Sequence, residues 1–365
     1  MRYAVIIAGG SGTRLWPMST RDQPKQLIPF LDGRSLLQIA MDRLKGLVPD
    51  THIFICAGES HRKAILESIS GIEQNRFYGE PMGRDTLNAV GLATADLGQH
   101  DPEAVVAIFT ADHVIEPIDV FQKTIEQGFE VAESQPTALV TFGIQPTYAA
   151  TGYGYLSLGE PINGAPGRRV LEFREKPDRE RAEQYFKAGA QRYLWNSGMF
   201  VWRADTLMRS IKSFVPENFD GLDQLGKVYR TVEAQQAIAQ IYPKLKKISV
   251  DFAVMEPASK DPEFQVVAVP MELSWLDVGS WPSFGKTQEK DGLGNSVTGC
   301  KSVMVDTADT LIASSDPDHL IATAGCEGLI VIHTPQATLV CRAEDAEKIK
   351  LVHQLVGEKI GMKWL

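Results

Sequence analysis

Cysteine is scarce. The 365 residues include only Cys56, Cys300, Cys326 and Cys341, and no two of them stand at CxxC spacing. That excludes a zinc knot or a disulfide framework, and a reducing cytoplasm is the simplest expectation for the compartment. Long apolar runs are missing too: no stretch approaches the length that crosses a bilayer, and the first residues enter a strand-like run without a basic region or cleavage site. A soluble protein without a membrane partner is expected. Excess positive charge is also absent, since 37 Lys and Arg against 46 Asp and Glu leave a formal net charge of -9. A general nucleic-acid surface is thereby disfavoured, and an anionic ligand has to be held by a local basic pocket.

What the chain has is core-forming material, 44% hydrophobic residues, enough for one large domain and a smaller one. Tyr3-Ala4-Val5-Ile6-Ile7 reads as an inner strand of a parallel sheet and runs straight into Ala8-Gly9-Gly10-Ser11-Gly12-Thr13-Arg14-Leu15-Trp16-Pro17. A glycine-rich turn at the end of such a strand lets backbone N–H groups approach an anion, with Arg14 and Lys25 adding charge. The same glycines also serve any tight strand exit. Two common nucleotide loops are excluded. Leu15 stands where a dinucleotide fingerprint needs its third glycine, and Thr13-Arg14 stands where a P-loop needs Lys-Ser/Thr.

Strand-like and helix-like segments then alternate. Ser35-Leu36-Leu37-Gln38 has the form of a capping box opening a helix to about Leu47; strands are expected at 52–56, 76–78 and 105–109, and helices at 59–70 and 86–97. This is a doubly wound α/β pattern, whose ligands sit beyond the carboxyl ends of the strands. Strands at 138–142, 155–158, 169–174 and 195–202 follow, then a mostly helical region to Met255. Past about Lys286, short β runs separated by Gly, Asp and Pro turns predict a small β-solenoid or sandwich, closed by a helix over 343–357 with Ile349, Val352 and Val356 on one face. The expected domains are 1–286 and 287–365.

Asp112, in Thr110-Ala111-Asp112-His113, falls at a strand end, and Asp277 precedes a glycine turn in Asp277-Val278-Gly279-Ser280. A lone aspartate in such places is ordinarily a cap or turn residue. As a pair they suit Mg²⁺, which takes one or two carboxylates and completes its octahedron with phosphates and water. Glu175-Lys176-Pro177 reads either as a solvated pair or as a ligand contact. Asn196, within the apolar run Trp195 to Phe200, needs a ligand or a backbone partner.

Gly9 to Pro17 together with Pro24-Lys25-Gln26 closely resembles the signature of the nucleoside-diphosphate-sugar pyrophosphorylases, in their mannose-1-phosphate guanylyltransferase branch. The resemblance implies a Rossmann-like doubly wound mixed sheet with a C-terminal left-handed β-helix-like domain. It implies GTP and mannose 1-phosphate as substrates, GDP-mannose and pyrophosphate as products, and Mg²⁺ on Asp112 and Asp277. Ala8, Gly9, Gly10, Ser11, Gly12, Thr13 and Arg14 would hold the triphosphate, with Arg14 and Lys25 as the catalytic cations. Gly83, Asp85 and Thr86, in Met82-Gly83-Arg84-Asp85-Thr86, match a segment near the base, although the family pattern has Asn where this chain has Asp85. Gly154, Glu172, Glu175, Lys176 and Asn196 match sugar-phosphate contacts. The apolar residues of Val250 to Glu256 would pack beneath the sugar, with Asp251 as a helix cap.

His113 is expected to pack beside the strand end rather than to act as ligand or base. Bifunctional relatives carry an additional cupin-like region, and nothing here has the length or histidine spacing for one, so a single activity is expected. Family members often form homodimers, which makes a second copy the expected protein partner. The same chemistry with another base or sugar, such as heptose or glucose, is the nearer alternative. A non-catalytic regulatory relative that only binds a nucleotide sugar is the more distant one.

Overall fold

The structure, a computed structural model, describes the 365 residues apart from Ser11 and Asp32. They form two compact units. One comprises Met1–Gly9, Ala40–Ala111 and Ile115–Trp275; the other comprises Gly10–Ile39, Asp112–Val114 and Leu276–Leu365. Among the described residues, no helix is long and apolar enough to cross a membrane.

The first unit is built on a nine-stranded mixed sheet. Its strands are β1 (Arg2–Ile7), β2 (Ile53–Gly58), β3 (Phe77–Glu80), β4 (Val105–Thr110), β5 (Ala138–Ile144), β6 (Tyr155–Pro161), β7 (Arg168–Arg174), β8 (Tyr193–Arg203) and β9 (Gln265–Met271). Their order across the sheet is β3-β2-β1-β4-β8-β5-β9-β7-β6. The continuous apolar runs of β1, β2 and β4 are buried, as parallel inner strands require. In the parallel pairing of β1 with β4, Ile7 lies beside Thr110. The glycine turn and Asp112 therefore leave the sheet from neighbouring strand ends. β8 then pairs antiparallel with both β4 and β5, which turns the sheet mixed.

Two elements of this unit had no counterpart in the sequence reading. The helix Ile118–Ser134 buries Phe121, Ile125 and Phe129 along one side. Strand β9 runs parallel to β5, with Val267 beside Val140. Pro270 within β9 is a residue that speaks against a strand, and here it stands next to the strand's last residue, where its missing donor matters least.

In the second unit the capping box forms as expected. The Ser35 N–H donates to Gln38 Oε1 (2.7 Å) and the Gln38 N–H to Ser35 Oγ (3.2 Å). The helix it opens, Leu36–Asp42, stops short of the expected Leu47. The C-terminal segment is β-helix-like: β10 (Ser296–Thr298), β11 (Lys301–Val305), β12 (Leu311–Ser314), β13 (Leu320–Ala324), β14 (Leu329–His333) and β15 (Thr338–Arg342). β10, β12 and β14 stack in parallel in one sheet, and β11 and β13 in another. β15 returns antiparallel to β14.

Leu15, Trp16, Met18 and Phe30 share one apolar cluster with Trp281, Phe284, Leu311, Ile330, Ile332 and Leu339. The residues flanking the glycine turn are thus anchored on the same core as the β coils. The last long helix, Ile349–Lys359, is only partly covered: Ile349 is buried and Val356 partly so, while Val352 is 37% exposed.

Candidate functional site

In the second unit, three remote stretches of chain converge. Gly12 adopts φ +60, and a Cβ there would lie 2.1 Å from Ser19 Oγ and 3.0 Å from Lys25 Cβ, so the turn admits only glycine. Among the described residues, the N–H groups of Gly10, Gly12 and Thr13 make no hydrogen bond within the chain. Ser11 lies outside the described residues. Trp16 explains its own place in the motif: its indole N–H donates to the Trp364 carbonyl (2.8 Å), and its carbonyl accepts from the Trp281 indole (3.0 Å).

Lys25 Nζ meets Asp112 Oδ2 at 2.5 Å, with the lysine side chain 11% exposed. Burial opposes the charge on Asp112, but Lys25 and then His113 outweigh it and hold the carboxyl down at about 2. The Val278 N–H donates to the Asp112 carbonyl (2.9 Å), which ties the Asp277 turn to Asp112. Asp112, His113 and Asp277 each bring one potential ligand atom within 4.8 Å of the other two. His113 is buried, as expected, yet its Nε2 comes within 3.9 Å of Asp112 Oδ1. Arg14 reaches over Gly279, where a Cβ would lie 3.4 Å from its guanidinium, and pairs with Glu347 at 3.1 Å.

The first unit carries a different group. The buried Asn196 accepts from Thr141 Oγ1 (2.7 Å), and its amide donates to Asp251 Oδ1 (2.9 Å). Its N–H donates to the Gly154 carbonyl (2.8 Å). A Cβ on Gly154 would stand 2.6 Å from Glu175 Oε2, so glycine leaves that carboxylate its position. Glu175 pairs with Lys176 at 3.0 Å. Burial opposes the charge on Lys176, whereas Glu175, Asp251 and Asp85 together raise its pKa.

Asp251 is the correction here: its side chain caps no helix. Burial, then the charge of Glu175, push its carboxyl up to about 7, against Lys176 and Asn196. Val250, its neighbour, donates its N–H to Thr86 Oγ1 (3.0 Å), which links this group to the helix Thr86–His100. Asp85 accepts from the Thr86 N–H (2.9 Å) at φ 67 and ψ 175, a backbone conformation that costs about 1–3 kcal/mol outside glycine. A Cβ at Gly83 would meet open space. Glu172 stands apart: it faces Lys260 at 3.8 Å, and no hydrogen bond joins it to Glu175, Lys176 or Asn196 among the described residues.

Comparisons with known proteins place the chain in a family. Residues 3–292 match the family described as Nucleotidyl transferase, and residues 301–355 match the MannoseP isomerase/GMP-like beta-helix domain. A mannose-1-phosphate guanylyltransferase of Klebsiella pneumoniae is 34% identical over 357 residues, covering 96% of this chain and 73% of that protein. One from Salmonella muenchen is 35% identical over 353 residues, covering 95% and 72%. The chain belongs to the nucleotidyl transferase family, in its mannose-1-phosphate guanylyltransferase branch. A crystal structure described as a mannose-1-phosphate geranyltransferase from Thermus thermophilus superposes with a TM-score of 0.85 at 29% identity, covering 97% of this chain and 99% of that one.

For a guanylyltransferase-branch chain, the sequence reading passed over two polar residues that the fold brings into play. Glu80 ends β3, is 7% exposed, and accepts from the Tyr242 hydroxyl at 2.6 Å. Its Oε2 would lie 3.9 Å from a Cβ on Gly9. Burial, then the charge of Asp85, raise its pKa against hydrogen bonds from Tyr242 and the Arg84 N–H. Glu347, the partner of Arg14, is the other. A polar residue ending an apolar strand was the one signal available for Glu80. Tyr153 packs its ring against Trp195 (5.2 Å) and Trp275 (5.1 Å).

Proposed function

We propose that this protein transfers GMP from GTP to α-D-mannose 1-phosphate, releasing pyrophosphate and GDP-mannose. The observation that carries the reading is the convergence of Lys25, Asp112 and Asp277 beside a glycine-only turn with open N–H groups. A sugar phosphate has a second pKa of about 6, so the attacking oxygen is already ionised near neutrality and needs no dedicated base. That oxygen forms a bond to the α-phosphorus while the bridge to the β-phosphorus breaks, and pyrophosphate leaves with the electron pair. Catalysis then consists of positioning and charge neutralisation.

In this reading the Gly9 to Thr13 amides and Arg14 hold the triphosphate, and Lys25 moves from Asp112 onto the phosphates. An all-oxygen donor pair of this spacing suits Mg²⁺, which Asp112 and Asp277 would hold and which would neutralise phosphate charge. Glu175, Lys176 and Asn196 hold the sugar phosphate, with Asn196 also orienting Asp251. Asp85 and Glu80 offer acceptors to the N–H groups of guanine. Four free thiols agree with a cytoplasmic setting. A homodimer rests on the family's habit alone.

The test is pyrophosphate release with Mg²⁺ from GTP, dTTP, UTP, CTP and ATP, each against mannose 1-phosphate and glucose 1-phosphate. Release confined to GTP with mannose 1-phosphate is expected. Release with a different pair would keep the chemistry and move the specificity, and no release with any pair would remove the proposal.

A further inference from the structure

A second constellation lies on the β coils. Asp316, His319 and His333, all half-buried, each present one potential ligand atom within 4.8 Å of the other two. His333 ends β14 and pairs in register with Ser314, the last residue of β12. The chain then loops from Ser314 through Asp316 and brings His319 back over His333, with ring centroids 3.6 Å apart and planes 10° from parallel.

Backbone bonds fix that loop. The Ser315 N–H donates to the His333 carbonyl (3.1 Å), the His319 N–H to the Asp316 carbonyl (3.2 Å), and the Lys301 N–H to the His319 carbonyl (3.1 Å). The Asp316 carboxylate is oriented by the Asp318 N–H, which donates to Oδ1 at 3.0 Å. His333 Nδ1 lies 3.0 Å from Thr338 Oγ1. With that nitrogen donating to the hydroxyl, Nε2 keeps its lone pair for a ligand, an outer contact of the kind that fixes the tautomer of metal-binding histidines.

We infer that Asp316, His319 and His333 form a binding site for a divalent transition metal of the zinc class, clipping successive coils of the β-helix-like segment. Two imidazoles and one carboxylate match zinc's preferred donors, whereas magnesium and calcium favour oxygen throughout. Ligand atoms on tetrahedral zinc, with bonds of about 2.0–2.1 Å, sit roughly 3.3 Å apart. The cluster therefore closes by side-chain rotation, the two rings fanning out of their stack. Three protein ligands leave a fourth position for water. The site is independent of the transfer reaction and shares no residue with it.

The experiment is equilibrium dialysis of the full chain against Zn²⁺ in a large excess of Mg²⁺, which keeps the Asp112 and Asp277 carboxylates occupied. The expected result is a single tight equivalent of Zn²⁺, with affinity falling at least about a hundredfold in His319→Ala and in His333→Ala, more than an outer contact is worth. Zn²⁺ should raise the thermal midpoint of the parent and of neither variant. Should the alanine variants lose their circular dichroism, His319→Gln and His333→Gln keep polar side chains in place and carry the same expectation. Co²⁺ should give visible d–d bands without a thiolate charge-transfer band. Failure of the parent to bind, undiminished binding in the His319→Ala/His333→Ala double variant, or a thiolate band would each overturn the inference, leaving the histidine stack as packing.

Discussion

The two polar groups of this molecule treat carboxylates in opposite ways. In the second unit Asp112 is largely buried beside Lys25 and stays ionised far into acid. In the first unit Asp251 faces Glu175, and burial together with that like charge makes it hard to ionise below about 7. The difference lies in which partner is closest: an ammonium at 2.5 Å favours the charged form, while a neighbouring carboxylate and lost solvent favour the neutral one. A charged pair suits cation and phosphate handling. A carboxyl that can carry a proton suits hydrogen bonding to neutral hydroxyls.

The largest effect expected from breaking this contrast is at the charged group. Asp112→Ala and Asp277→Ala should each lower the rate of pyrophosphate release by about a hundredfold to a thousandfold, the range seen when preorganised charge stabilisation is removed. Circular dichroism should stay at the parent level. Near-parental rates in both variants at low Mg²⁺ would end the metal assignment.

Next comes Gly154→Ala, where the added methyl displaces Glu175. It should raise the KM for mannose 1-phosphate by about tenfold or more and leave the KM for GTP within about twofold, because displacing a positioning group by an ångström can cost a hundredfold. Equal changes in both constants would mean that the two substrates are not read by separate groups.

Asp251→Asn sharpens the comparison through pH. The folded carboxyl, at about 7, lies above the ordinary 3.8, so its neutral form is the one the fold favours. Its contribution to stability is fully present below pH 3.8 and is lost as the pH rises through about 7. An amide mimics the neutral form throughout. The thermal midpoint of the variant minus that of the parent should therefore grow from pH 5 to pH 8; a difference that is flat across this window would refute the raised pKa.

The smallest effect belongs to Glu347→Gln. Its pair with Arg14 is exposed, 45% and 77% on the two sides, so stability should not change measurably. Releasing Arg14 should lower the KM for GTP by no more than about threefold, read by initial rates. A large loss of activity would instead make Glu347 a necessary part of the site.

Local pattern made much of this legible. The β1 run, the capping box at Ser35 and Gln38, and the alternation of strands with helices depend on near neighbours, and each formed as read. Strand β9 and the helix Ile118–Ser134 were missed because a mid-sheet strand with a proline near its end and a long amphipathic stretch become clear only against their packing partners. The Asp251 reading failed for the same reason. Asp beside a helix start is a cap in isolation, and only the arrival of Asn196 from β8 and of Glu175 beyond β7 gave it another partner.

Sequence by itself determined the glycine-rich turn, the aspartates that follow apolar runs, and the family signature, since each is a property of contiguous residues. Tertiary structure alone decided that Lys25 lies on Asp112, that Trp16 is held by Trp281 and Trp364, and that the turn's flanks share a core with the β coils. These contacts join residues tens to hundreds of positions apart. Their geometry is set by the packing of whole elements, which no local spacing encodes.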